Sequence, residues 1–177
     1  MAINQWWVGD SQEVFWQETT GRSDVGANLL APQADAGGTK ENPGYVLVTH
    51  VNDGDIVLHW DTTQKAYVGW SRAVGGYWKS RIRWAAIPGG AAAFDRPAWV
   101  HGLEGPHLFA APISLKAVRA VGPKIGAVRD RLRAAHGPVY FPFTPYGGSW
   151  SSLRPGSPTC RRFRRHSSTS SPGSELR

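Results

Sequence analysis

The sequence predicts one α+β domain built mainly from antiparallel β-structure. Short apolar runs rich in β-branched and aromatic residues, separated by Gly, Asn and Asp, indicate strands and turns. Ile125, Val128 and Leu132 instead keep the three- and four-residue spacing of a helix. The chain of 177 residues is long enough for one domain with its own core.

The first fifty residues give weak local signals. Residues 3–8 are a predicted strand because they are rich in Trp and β-branched residues. Residues 10–20 are predicted to form a short helix or an irregular segment, since Asp and Ser at its start favour a helix cap. Residues 21–44 are a predicted loop, and residues 45–49 a short helix or strand.

A hairpin over residues 50–73 is the clearest feature. An Asn-Asp-Gly sequence at 52–54 supplies turn chemistry, and the apolar run at 56–60 is typical of a buried strand. The return strand is 66–73, where Gly69 indicates a bulge or a close approach by a ligand or another backbone. The residues that such a hairpin gathers in a small volume are His59, Trp60, Trp70, Ser71 and Arg72.

Beyond the hairpin, Gly75-Gly76 predicts a turn and residues 77–86 a strand with basic residues along one face. Residues 99–109 are predicted to be irregular with one further strand. Pro123 suits the first turn of a helix of about 13 residues, which Gly137-Pro138 ends. Residues 139–143 are predicted to be strand-like.

The net charge of +7 is concentrated in two places. Residues 116–133 hold six basic residues and one Asp, and residues 151–177 hold six Arg and one Glu. Local positive charge is typical of a nucleic-acid-binding face, although a solvated helix face with a basic tail explains it equally well. We expect the domain to span 1–156 and the Ser/Arg-rich residues 157–177 to be a disordered tail, whose composition also resembles out-of-frame translation.

Several classes of protein are disfavoured. Cys160 is the single cysteine, which excludes an internal disulfide and a cysteine-rich zinc site. The sequence has no signal-peptide pattern and no apolar run of about 20 residues, so we expect a soluble cytoplasmic protein that makes no membrane contact. No GxSxG, HExxH, Walker A or GxGxxG frame is present. His101 and His107 are weak metal candidates, and structural roles are the simpler interpretation. We therefore expect neither catalysis nor a cofactor.

Nine Trp in one small domain suggest either a large aromatic core or a recognition surface. Aromatic rings stack on nucleic-acid bases, which favours a binding function. Most of the Trp should nevertheless pack in the core, leaving one or two to contact a ligand. The candidates are Trp16, Trp60, Trp70, Trp78 and Trp84.

Four stretches follow one another in a familiar order. They are WWVGD at 6–10, LAPQ at 30–33, VNDGDIVLHW at 51–60 and GWSRA at 69–73. Together they resemble the EVE domain of the PUA-like superfamily, as found at the N-terminus of modification-dependent HNH restriction endonucleases. The resemblance covers about residues 3–156.

This resemblance implies a mostly antiparallel β-barrel with two or three surrounding helices. It also implies a recognition domain that flips a modified base, such as 5-methylcytosine, out of double-stranded DNA. The nuclease would be a separate domain or subunit of a restriction system. The implied base pocket is lined by Asp10, Leu30, Ala31, Pro32, Trp60, Ser71 and Arg72. The residues expected to hold phosphate are Arg81, Arg83, Lys124, Arg129, Arg131 and Arg133.

Two features depart from the family pattern. Leu30 and Gln33 stand where family members commonly have Trp and Lys, and the Ser/Arg tail replaces a final strand expected after Arg154. The alternatives are an RNA-binding PUA-like module and a protein or enzyme that binds a small molecule or nucleotide.

Overall fold

The computed structural model describes residues 4–8, 15–34, 41–84 and 94–156. They form a mixed α+β structure, mostly sheet with few helices, which confirms the predicted class. The strands are β1 (Phe15–Thr20), β2 (Asn28–Pro32), β3 (Ile56–Asp61), β4 (Ala66–Trp84), β5 (Phe94–Ser114), β6 (Phe143–Tyr146) and β7 (Ser149–Pro155). The helices are α1 (Pro43–Val46), which continues into a 3₁₀ turn (Leu47–His50), α2 (Leu115–Ala120) and α3 (Gly122–His136).

Five strands form one sheet in the order β1-β3-β4-β5-β2. β1 runs parallel to β3, and the other pairs are antiparallel. Strands β6 and β7 make a separate hairpin. Within the described residues β1 and β2 are the two edges and do not pair with each other, so these strands do not form the closed barrel that the resemblance implies.

The central hairpin is confirmed, with β3 pairing on β4 across the predicted turn. Gly69 lies at a register shift, and a Cβ atom there would stand 2.6 Å from the carbonyl oxygen of His107. Both readings of this glycine, a bulge and a close backbone approach, are therefore correct.

The predicted turn at Gly75-Gly76 is wrong. The chain passes through these glycines as an irregularity inside one 19-residue strand, with a register shift between Val74 and Tyr77. Residues 99–109 likewise belong to the continuous 21-residue strand β5. Each long strand is the other's pairing partner, and this pairing outweighs the weak strand propensity of their glycines and prolines.

Most N-terminal predictions are wrong where the structure describes them. The predicted loop at 21–44 contains strand β2 at Asn28–Pro32. Residues 15–20 form an edge strand rather than the predicted short helix or irregular segment, because parallel pairing with β3 satisfies their backbone. Residues 6–8 form a turn rather than a strand. Residues 43–50 are helical, which selects one of the two predicted options. Asp10 and residues 157–177 lie outside the described ranges.

Helix α3 begins at Gly122 and ends at His136, close to its predicted bounds. It packs against β7, where the ring of Trp150 lies over Gly126. Two apolar clusters form the core. One includes Tyr45, Val57 and Trp99, and the other lies between the sheet, α2 and the β6–β7 hairpin. Among the described helices, none is long and apolar enough to cross a membrane.

Candidate ligand-binding cavity

An aromatic cavity of about 180 Å³ lies between the two edge strands, β1 and β2. The turn at 4–8, helix α1 and residues 140–142 complete its walls. Pockets for drug-sized ligands measure roughly 300–1,000 Å³, so this cavity suits a smaller ligand of one or two rings. The aromatic side chains that line it are Trp6, Trp7, Phe15, Trp16, Tyr45, Tyr140 and Phe141.

The tryptophans of the cavity hold one another in place. The ring of Trp7 meets the ring of Trp16 edge-on, with 5.2 Å between centroids, and meets Trp6 in the same way at 5.8 Å. The indole N–H of Trp16 donates to Oδ2 of Asp55 at 2.8 Å. Asn4 ties the N-terminal turn to the end of α3, because its amide donates to two carbonyl oxygens there at 2.6 and 2.8 Å.

Glu18 is among the residues that line the cavity, and its carboxylate belongs to a buried chain of hydrogen bonds. In the parallel register it lies opposite His59, whose Nδ1 is 2.8 Å from Glu18 Oε2. The Nε2 of His59 is 2.7 Å from the Oγ of Ser71. A carboxylate only accepts hydrogen bonds, so Nδ1 of His59 donates one to Glu18. In that tautomer, Nε2 of the neutral imidazole accepts a hydrogen bond from the Ser71 hydroxyl.

Ser71, His59 and Glu18 stand in the order of nucleophile, base and orienting acid. A nucleophile must reach its substrate, yet Ser71 has no exposed surface and does not line the cavity. A Cβ atom on Gly105 would lie 2.9 Å from its Oγ, so backbone covers it closely. This arrangement fixes the orientation of Glu18, and the carboxylate is the one member of the three that borders the cavity.

Arg22 closes the polar side of the cavity. Its Nε donates to Asp24 at 2.7 Å and its Nη2 donates to the carbonyl of Asn28 at 3.3 Å. The hydrogen bond from Arg22 holds the pKa of the Asp24 carboxyl below its ordinary value. The remaining nitrogen, Nη1, is 3.6 Å from Glu18 Oε1, which is an ion pair but too long for a hydrogen bond.

Two buried donor atoms on residues of this cavity make no hydrogen bond. The indole nitrogen of Trp6 and Nη1 of Arg22 are both closed off from water, and neither makes a hydrogen bond within the described residues. Both side chains line the cavity. An unsatisfied buried donor costs about 1–3 kcal/mol.

The residues predicted for the base pocket are spread over several environments. Leu30 and Ala31 line the cavity, and Pro32 is fully buried in β2 beside it. Trp60 is 2% exposed in the second core cluster and does not line this cavity. The exposed guanidinium of Arg72 donates to the carbonyl of Gly54 at 3.1 Å.

The predicted phosphate ligands lie mostly at the surface. Arg81 and Arg83 are exposed on the outer part of β4. Lys124, Arg131 and Arg133 are exposed on α3. Arg129 is half-buried and packs over the Trp150 ring, 5.4 Å from its centroid, so part of its role is internal.

The sequence prediction missed Glu18 and Arg22, the charged residues of the cavity. The one local signal for Glu18 was a carboxylate set within the aromatic and β-branched run at 15–20. No local pattern showed its pairing with His59, because the two lie 41 residues apart.

The described residues contain no group of three or more side chains suited to hold a metal ion. No family model matches the chain, and no curated protein matches its sequence. Among solved structures, the chain is similar to Rpa0253 from Rhodopseudomonas palustris, determined by NMR in a structural genomics consortium. That similarity has 14% identity and a TM-score of 0.37 over 67% of this chain and 79% of the other. A likeness of this degree carries no information about function.

Proposed function

We propose that this chain is an EVE-type domain of the PUA-like superfamily that binds DNA carrying a modified base. The base, a modified cytosine, leaves the duplex and enters the cavity between β1 and β2. The domain is the recognition module of a restriction system, and a nuclease domain or subunit outside this chain supplies the cleavage.

The observation that supports this proposal is one small cavity lined by seven aromatic residues, with the ion-paired Glu18 and Arg22 among its lining residues. Extruding a base costs a few kcal/mol, and each stacked base recovers roughly 1–3 kcal/mol.

The exposed cations fit a supporting role on the DNA backbone. Arg81 and Arg83 on β4, with Lys124, Arg131 and Arg133 on α3, offer charge to phosphates. Phosphate contacts fix the position of a protein on DNA without reading its sequence. They should supply weak binding to any duplex, which falls steeply as salt rises.

The test compares a duplex that contains one central 5-methylcytosine with the same duplex unmodified, by fluorescence anisotropy. Phe15 lines the cavity and is 54% exposed, so Phe15→Ala removes a ring with little effect on folding. We expect it to lower affinity for the modified duplex by about fivefold or more and to leave the unmodified duplex unchanged.

Leu108→Ala is the matched control, because Leu108 is 69% exposed and lies away from the cavity. It should change neither affinity. Equal binding of both duplexes by the unaltered protein would refute the proposal, and stronger binding to RNA of the same sequence would favour an RNA-binding module instead.

A further inference from the structure

We propose that residues 77–84 of β4 are a docking edge for an extended acidic segment of a partner protein, which adds to the sheet as a further strand. None of these residues lines the aromatic cavity, so the proposal does not rest on the proposed function. It follows from the pairing, the charge and the exposure of this part of the sheet.

One side of the docking edge has no strand beside it in the part of the chain that the structure describes. β3 pairs only with residues 66–72 of β4, so it ends before the docking edge begins. β2 pairs with β5 and not with β4. The docking edge pairs with residues 94–101 of β5 on one side, and on the other it presents a row of backbone N–H and C=O groups without a ladder partner among the described residues.

Such a row of alternating donors and acceptors is complementary to another extended peptide backbone. Binding by addition of a strand takes its affinity from these main-chain hydrogen bonds. The phosphate oxygens of a nucleic acid only accept hydrogen bonds, so they could satisfy the N–H groups of the docking edge but not its carbonyl oxygens. The backbone therefore favours a peptide as the occupant.

The side chains on one face of the docking edge favour an acidic peptide. Alternate residues of a strand share a face, so Lys79, Arg81 and Arg83 form a row with roughly 6.8 Å between neighbours. All three are exposed, and none makes an ion pair within the described residues. Asp95 lies opposite Arg83 across the β4–β5 pair and offsets one of the three charges. An incoming strand with Asp or Glu at every second position would place carboxylates opposite the cations.

The other face defines the residues that should alternate with the acidic ones. It carries Trp78, which is 46% exposed, with Ser80 and the half-buried Ile82. β-Branched residues pair well across strands with aromatic and β-branched side chains. The matching segment therefore alternates acidic residues with Val, Ile or Thr.

A second copy of this chain does not fit the docking edge. Side chains opposite each other in paired strands point to the same face, so two antiparallel copies related by a two-fold axis would pair odd-numbered residues with odd-numbered ones. Registers centred on the docking edge would then bring Lys79, Arg81 and Arg83 against their own counterparts. Like charges directly opposite each other are destabilising.

The first measurement is the fluorescence anisotropy of a labelled peptide of about seven residues, within the usual length of a strand, added to the full chain. The peptide has Glu at every second position and Val or Thr between. A comparison peptide is methylated on every backbone nitrogen, which keeps the charges and removes the donors. We expect the first peptide to bind at least about tenfold more tightly, because each strand hydrogen bond adds to its affinity.

Two results would overturn the proposal at this stage. Equal affinities would show that attraction between charges accounts for the binding without strand addition. No binding of either peptide would leave the cations with a purely protective role, since charged residues on edge strands also prevent association between copies.

The second measurement uses Arg81→Glu, which turns the central attractive pair into a repulsive one. It should weaken the peptide by about 2- to 30-fold. Arg131→Glu, the same reversal at an exposed position of α3 outside the docking edge, should leave the affinity unchanged. Hydrogen exchange supplies a readout of strand addition itself, because amides of 77–84 on the open side should become protected when the peptide binds. Unchanged exchange there would sink the proposal.

The same readout tests the other occupants. In the proposed function Arg81 and Arg83 offer charge to phosphate, so a docked acidic strand would also keep DNA from this part of β4. If unmodified DNA binds more tightly than the peptide and protects the same amides, the docking edge is a phosphate-binding surface and the proposal is wrong. A dimer of the free chain in sedimentation velocity that protects these amides would show a second copy there instead. The peptide measurements contain no DNA, so their outcome is independent of whether the cavity binds a modified base.

Discussion

Replacing Trp60 with Ala should lower the free energy of unfolding rather than remove a contact to a ligand. Its side chain is 2% exposed and meets the rings of Tyr67 and Phe143 edge-on, at centroid distances of 5.0 and 6.4 Å. Removing a buried Trp costs about 3–5 kcal/mol, and the two aromatic pairs place the cost towards the upper part of that range. For a domain of this size, that corresponds to a fall in melting temperature of roughly 6–20 °C.

Urea and thermal unfolding followed by circular dichroism measure the effect, with anisotropy on the modified and unmodified duplexes below the transition. Trp78→Ala is the matched control, because Trp78 is 46% exposed and its truncation should cost clearly less stability than that of Trp60. A Trp60→Ala protein that keeps its melting temperature but loses its preference for modified DNA would refute this reasoning. Such a result would support the predicted role of Trp60 in binding the base.

Three further outcomes follow from the structure. The double variant Arg131→Gln, Arg133→Gln should lower affinity for modified and unmodified DNA equally. It should also reduce the slope of log affinity against log salt concentration by about two. An unchanged slope in a salt titration would show that this face of α3 does not contact phosphate. Burial raises the pKa of Tyr67 above its ordinary value of about 10, so stability is full below pH 10 and falls as the unfolded state loses its proton. Tyr67→Phe should therefore cost about 1 kcal/mol at pH 8, from the lost hydrogen bond to Gln17, and the deficit in melting temperature should shrink above pH 10. Gly126→Ala should destabilise α3 despite the better helix propensity of Ala, since its Cβ atom would stand 2.5 Å from the Trp150 ring; a rise in melting temperature would contradict that packing.

The elements that the sequence predicted correctly are those whose signals lie within the element itself. The hairpin of β3 and β4 has turn residues and an apolar run within a few positions of one another, and α3 has helical spacing with a proline at its start. Gly69 was also interpretable, because a glycine inside a strand commonly marks an irregularity.

The edge strand β1 had no such local cause. Its residues become a strand because β3, about forty positions later, supplies a parallel partner. Periodicity within 10–20 carries no information about that pairing, so the sequence predicts a short helix or an irregular segment there. The same limit applied to the tryptophans, since Trp16 and Trp60 differ in role through tertiary neighbours rather than through sequence context.

The hairpin residues that suggested a ligand pocket do not line the cavity but hold the side chains that do. Asp55 of the turn holds the indole of Trp16, and His59 of the strand holds the carboxylate of Glu18 with Ser71 behind it. Each belongs to the central hairpin, and the first two act on side chains of β1. Burying such polar groups is costly, and apolar residues of similar volume often stabilise a core as well or better. A chain that keeps them gains a fixed orientation for Trp16 and Glu18, as the proposed base pocket requires. The motif of the hairpin is therefore best understood as a support for the edge strand β1, which in the proposed function carries the contacts to the base.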